Sequence, residues 1–157
     1  MKRLLLALAL VSACALPAAA PHAAEKATYS AGDPAENKAV RLVAMDFLQL
    51  IDNGDVESTW HVVGDYLRGT LTRDEWVQGI VDARADRDAT SRELMGALFT
   101  TELDNNRKGH FFVVVYLTRY GGDWFQERVI LTRQGTDWKV DGYWMFPSDA
   151  KGNVKQG

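Results

Sequence analysis

Midway along this chain the spacing of apolar residues changes from the three-and-four rhythm of helices to the alternation of strands, and no other feature narrows the fold so far. In the first half, Val40, Val43, Ala44, Phe47, Leu50 and Ile51 fall on one helical stripe, with Lys38, Arg41, Gln49 and Asp52 opposite. Asp33 can cap that helix, Pro34 suits its first position, and Asn53-Gly54 stops it. Asp55 is placed to cap a second, short helix bearing Trp60 and Val63. Thr72 and Glu75 form a capping box for a third that carries Trp76, Val77, Ile80 and Val81. Beyond Asp88 four runs rich in β-branched and aromatic residues follow: Arg92 to Leu103, His110 to Tyr120, Asp123 to Arg133 and Asp137 to Phe146. Helices in one half and a meander in the other imply an α+β fold, with N-terminal helices packed on a curved, cone-like, four-stranded antiparallel sheet.

Two glycine turns allow a register to be predicted, because a two-residue hairpin loop fixes which residues oppose each other. Around Gly121-Gly122, Tyr116 faces Glu127, Val114 faces Val129 and Phe112 faces Leu131. Around Gly135-Thr136, a straight ladder sets Leu131 against Val140, Val129 against Gly142 and Glu127 against Trp144. The face so formed is apolar except for Glu127, while Arg128 and Tyr143 are expected to stack on the opposite face. A carboxylate between Tyr116 and Trp144 loses hydration, so its pKa should rise unless a cation or donors compensate. Two readings follow for Glu127: a tuned pocket acid, or a structural partner of Arg92 with Tyr116 as donor, and the second is favoured. The candidate pocket residues are therefore Tyr116, Glu127, Trp144 and Arg92, together with Trp60.

The N-terminus has the order of a secretory leader: Met1-Lys2-Arg3, an apolar run from Leu4 to Val11, then small residues to Ala24. The expected organisation is a signal peptide over 1–24, a flexible spacer over 25–32, one α+β domain over 33–147 and a disordered tail over 148–157. The leader's apolar run is shorter than the roughly 20 residues of a spanning helix and no later segment does better, so no transmembrane segment is expected after the leader's removal. Val11-Ser12-Ala13-Cys14 resembles a lipobox, which makes lipidation at Cys14 the less favoured exit and a periplasmic location the favoured one. Cys14 is the single cysteine, so the folded part has no disulfide and no thiolate chemistry. The formal charge is −3, with acids and bases mixed along the chain, which argues against nucleic acid as a partner.

Motifs that would carry chemistry are missing. Outside the leader only His61 and His110 are present, neither with a second ligand at suitable spacing, so no metal and no cofactor is expected. Ser58 and His61 lie one helical turn apart without a strained nucleophile turn around the serine. Gly121-Gly122 sits in a hairpin and does not open a helix, so it is no phosphate cradle. Asp46, at the edge of the first helix's stripe, reads as a boundary residue in contact with water.

The combination of Phe47, Ile51-Asp52, Gly54, Trp60, Glu75-Trp76, Arg84, Ser91-Arg92, Leu94, Glu127, Val129, Leu131, Trp138-Lys139-Val140 and Gly142-Tyr143 resembles the bacterial family called domain of unknown function 4019. The likeness spans about Val40 to Phe146 and implies an exported domain without an assigned activity. In element order the chain is also similar to nuclear transport factor 2-like and cystatin-like domains. Ketosteroid isomerases of that type carry a tyrosine on the first helix, and this first helix has none. The functional expectation is a non-enzymatic binding or accessory module of the envelope, using the concave sheet face for a small ligand or an envelope protein. The alternative is a cone-pocket enzyme with Glu127 as acid or base and Tyr116 as oxyanion donor.

Overall fold

The computed structural model describes residues 28–103 and 106–155, so the expected leader and Cys14 lie outside the described residues. Helix α1 runs Pro34–Asp52, and its cap is the one the sequence indicates: the Asp33 carboxylate accepts from the backbone N–H groups of Ala35 and Glu36 at 2.9 and 3.0 Å. Asp55 precedes a 3-10 helix, Val56–Val62, without capping it through its side chain. A six-residue helix that periodicity is too short to reveal, α2, covers Asp65–Thr70. Helix α3, Arg73–Arg84, opens with the Thr72–Glu75 capping box.

Strands β1 (Ala89–Glu102), β2 (Lys108–Tyr120), β3 (Asp123–Gln134) and β4 (Asp137–Ser148) form an antiparallel sheet in sequential order. One face, hereafter the inner face, packs on α1. Val40, Ala44, Phe47 and Leu48 of the helix meet Phe112, Val114, Val129, Leu131 and Val140 of the sheet, all at most 1% exposed. Each fully buried aliphatic or aromatic side chain there stabilises the fold by about 1.5–3 kcal/mol. The inner face, expected to be the binding surface, is therefore filled with core.

The first hairpin has the predicted register, with Tyr116 opposite Glu127 and Phe112 opposite Leu131. The second begins as predicted, with Leu131 opposite Val140, and then slips. Ile130 pairs with Gly142, so Asp141 is an extra residue in β4, a β-bulge. From there on the straight-ladder register is off by one. Val129 faces Tyr143, Glu127 faces Met145, and Trp144 lies beside Arg128. Since side chains alternate with period two, the slip exchanges faces: Tyr143 turns inward and Trp144 outward, where it is 46% exposed. The expected Arg128–Tyr143 stack does not form for the same reason.

Both chain ends of the described region are tied to the sheet. Ser30, in the expected spacer, exchanges two backbone hydrogen bonds with Phe99 on the free edge of β1, at 2.9 and 2.8 Å. At the other end residues 148–155 turn back, Val154 bridges Ser148, and the Gly152 carbonyl accepts from Gln126 Nε2 at 3.0 Å on the outer face of the sheet.

Candidate functional site

Beneath the ends of α1 and α3, three charged side chains from three elements meet around Glu127 of β3. Glu127 has no exposed surface. Its Oε1 accepts from the hydroxyls of Tyr120 at 2.8 Å and Tyr143 at 2.6 Å. Its Oε2 accepts from Arg92 Nε at 2.9 Å and from the Thr118 hydroxyl. Arg84 Nη2 stands 3.1 Å from Oε1, close enough for an ion pair but not aligned for a hydrogen bond. Asp52, the last residue of α1, completes the ring: Oδ1 accepts from Arg84 Nη1 at 2.9 Å and Arg92 Nη2 at 3.1 Å, and Oδ2 from Arg92 Nη1. Arg84 Nε donates to Tyr143 Oη at 2.8 Å, and its guanidinium lies 5.2 Å from the centre of the Tyr120 ring.

Two carboxylates and two guanidiniums leave no net charge in this cluster. Burial alone would raise the Glu127 carboxyl, but Arg84 and Arg92, with the donors Thr118 and Tyr143, outweigh it and hold it below the ordinary glutamate range. Asp52 behaves alike: desolvation is outweighed by the two arginines, and its carboxyl is depressed. A carboxylate at a helix C-terminus opposes the helix dipole, so Asp52 depends on these cations, whereas Arg84 in the last turn of α3 suits its dipole. Burial and the Glu127 charge push the Tyr143 and Tyr120 hydroxyls up, so both remain protonated donors. Every charge here is paired. The arrangement ties α1, α3 and all four strands together, and it holds no acid or base poised to exchange a proton near neutrality.

The residues singled out from sequence are scattered. Arg92 and Glu127 are in the cluster. Tyr116 is buried opposite Glu127, but its hydroxyl donates to the Arg41 carbonyl of α1 at 3.3 Å. Trp60 sits half-buried on the 3-10 helix against the core, with Arg68 5.4 Å from its ring centre. Trp144 is on the outer face. Five members of the cluster were not singled out: Asp52, Arg84, Thr118, Tyr120 and Tyr143. A signal for three of them was present, because Asp52, Arg84 and Tyr143 stand with Arg92 and Glu127 among the residues that carry the family resemblance. Among the described residues no group of three metal-ligating side chains occurs. His110 bonds Glu36 at 2.8 Å, and His61 is exposed.

Two openings flank this frame. A cleft of about 490 Å³ lies between the ends of α1 and α3 and the start of β1, lined by Ile51, Asp52, Ile80, Arg84, Arg87 and Asp88. It reaches the solvated side of Asp52 and stops short of Glu127. The second, about 450 Å³, is a groove on the outer face between β2, β3 and β4 and helix α2, walled by Tyr66, Leu71, Val113, Ile130, Trp144 and Phe146. Gly142 shapes it: a Cβ there would come within 2.1 Å of the Trp144 ring, so only glycine lets that ring lie across the strand. Polar groups are few. Asp141, placed at the groove by the bulge, pairs with Arg107, and Arg128 stacks 4.8 Å from the centre of the Phe146 ring.

A family model described as "Protein of unknown function (DUF4019)" matches residues 43–143. No curated protein and no solved structure matches the chain.

Proposed function

This chain belongs to the DUF4019 family, and from that premise we propose that it is an exported envelope domain that works by binding, with the outer-face groove as its contact surface. The observation that carries this reading is the contrast between a charge-paired polar cluster and an unfilled apolar groove. Glu127 is ionised and bonded on both oxygens, so an acid–base role for it, with Tyr116 as oxyanion donor, has no observation in its favour. The groove has the volume of small-molecule sites, which run from about 300 to 1,000 Å³, and the usual mix of many apolar walls and few polar groups. Exposed aromatic surface such as Trp144 is what binding sites present.

The neutral dye N-phenyl-1-naphthylamine tests the groove. Its fluorescence should rise with the wild-type protein and stay near its free value with Trp144→Ala. Equal enhancement by both proteins, or none by either, would sink the assignment. Export rests on the leader and is tested separately, by cell fractionation and determination of the mature N-terminus. An unprocessed cytoplasmic chain would dismiss it. Cys14→Ser then separates the two exits, since only a lipoprotein should leave the membrane fraction or stall unprocessed.

A further inference from the structure

We propose that the outer groove selects a small apolar carboxylate, with Arg128 pairing with its head group. This inference rests on the groove being the binding surface. It begins from how the buried and half-buried arginines are employed. Arg84 and Arg92 are each bound to both carboxylates of the inner cluster, and Arg107 to Asp141. Arg128 differs. Its Nε donates to Gln126 Oε1 at 2.5 Å, its guanidinium stacks on Phe146, and no carboxylate pairs with it among the described residues. Both terminal nitrogens keep their donors unused, while stacking and the Gln126 bond fix the plane of the fork. An arginine so oriented loses little freedom on pairing with an anion.

Charge and shape point the same way. Arg107 and Asp141 cancel, which leaves Arg128 as the surplus charge of the groove in a chain whose formal charge is −3. The rest of the wall is apolar, from Val113 and Ile130 on the sheet to Leu71 just past α2 and the Trp144 ring. A ligand with one acyl chain or one ring system suits about 450 Å³, and a two-chain lipid does not. A single guanidinium offers two parallel N–H groups, the match for one carboxylate. Phosphate sites gather donors from several groups or a helix N-terminus, and among the described residues the groove supplies this one fork as a cation without a paired carboxylate.

Displacement of the neutral dye by decanoate, decanol and decylamine, below their micellar concentrations, provides the test. Decanoate should bind about tenfold or more tightly than decanol, and decylamine weakest, as a charge-assisted bidentate pair predicts. Arg128→Gln should bring decanoate down to decanol without changing decanol, and Arg128→Lys should restore part of the preference. Equal binding of decanoate and decanol by the wild type would overturn the inference and leave the groove intact as a binding surface. So would equal losses of both ligands in Arg128→Gln. If neither dye nor any of the three ligands binds, the groove itself is refuted. The wild-type ligand series decides the matter even if a variant fails to fold.

Discussion

The two faces of the sheet handle arginine in opposite ways. On the inner face Arg84 and Arg92 are buried, and each meets both Asp52 and Glu127, so their charge is spent holding helices to strands. On the outer face Arg128 is half-buried beside aromatic rings and pairs with no acid among the described residues. The more conspicuous feature, a four-charge cluster with displaced pKa values, is the one whose charges are already paired with one another. Unpaired charge is a better guide to a binding site than the number of charges assembled.

Breaking the inner face should have the largest effect. Glu127→Gln leaves two buried guanidiniums with a neutral amide, and loss of one partner from a buried pair costs about 3–5 kcal/mol. Urea denaturation at neutral pH should show that loss, and a change below about 1 kcal/mol would mean that the cluster does not hold the fold. Asp52→Asn should cost less, about 1.5–3 kcal/mol, because Asp52 is partly solvated and only its charge-assisted hydrogen bonds are weakened.

Acid acts on the same pair of groups. The folded-state pKa values of Glu127 and Asp52 are depressed, so their contribution is present above the unfolded values near pH 4 and is lost as pH falls through the folded ones. The wild type should therefore lose stability steeply below about pH 4. Glu127→Gln, measured by the same denaturation series, should fall less steeply over that range. Parallel pH curves for the two proteins would contradict the assignment of Glu127 as an ionised partner.

The outer face should respond in binding more than in stability. Gly142→Ala pushes the Trp144 ring aside, so binding of the neutral dye should fall severalfold at a stability cost of about 1 kcal/mol, read by dye titration and thermal melting. Trp144→Ala should change stability least, by about 0.5–1 kcal/mol, since the side chain is 46% exposed. A loss near that of Glu127→Gln would erase the distinction between the faces.

Much of this architecture was legible in the sequence, and the failures have identifiable causes. Caps and turns act over a few residues, so Asp33, Thr72 with Glu75, and the two glycine hairpins were readable locally. The place of Glu127 opposite Tyr116 followed from a register that the first hairpin fixes. The bulge at Asp141 was not readable, because alternation looks alike on both sides of an inserted residue, and the misplacement of Trp144 and Tyr143 followed from it. Asp52 fell on the polar side of the first helix's stripe, and Arg84 entered only through the family resemblance. Their partners lie 40 and 43 residues further along, and only folding brings Arg92 and Glu127 to them. Helix α2 was too short to show a period, and the turn over 148–155 depends on contacts with Gln126 and Met95 that composition does not announce.

The extra residue in β4 gives that strand a parity. Between the Gly135-Thr136 turn and Ser148, whether a side chain belongs to the core or to the groove depends on the count of residues modulo two. Adding one residue after the turn, with the bulge kept, exchanges the two sets, sending Trp144 toward α1 and taking the Tyr143 hydroxyl away from Glu127. Removing Asp141 does not: the bulge closes, the straight ladder returns, and Tyr143 and Trp144 keep their partners and their faces. Point substitutions in the groove are thus separable from the core, but single-residue insertions in β4 are not. In the history of such a sequence, the single-residue change of length that the strand absorbs is the loss of its bulge.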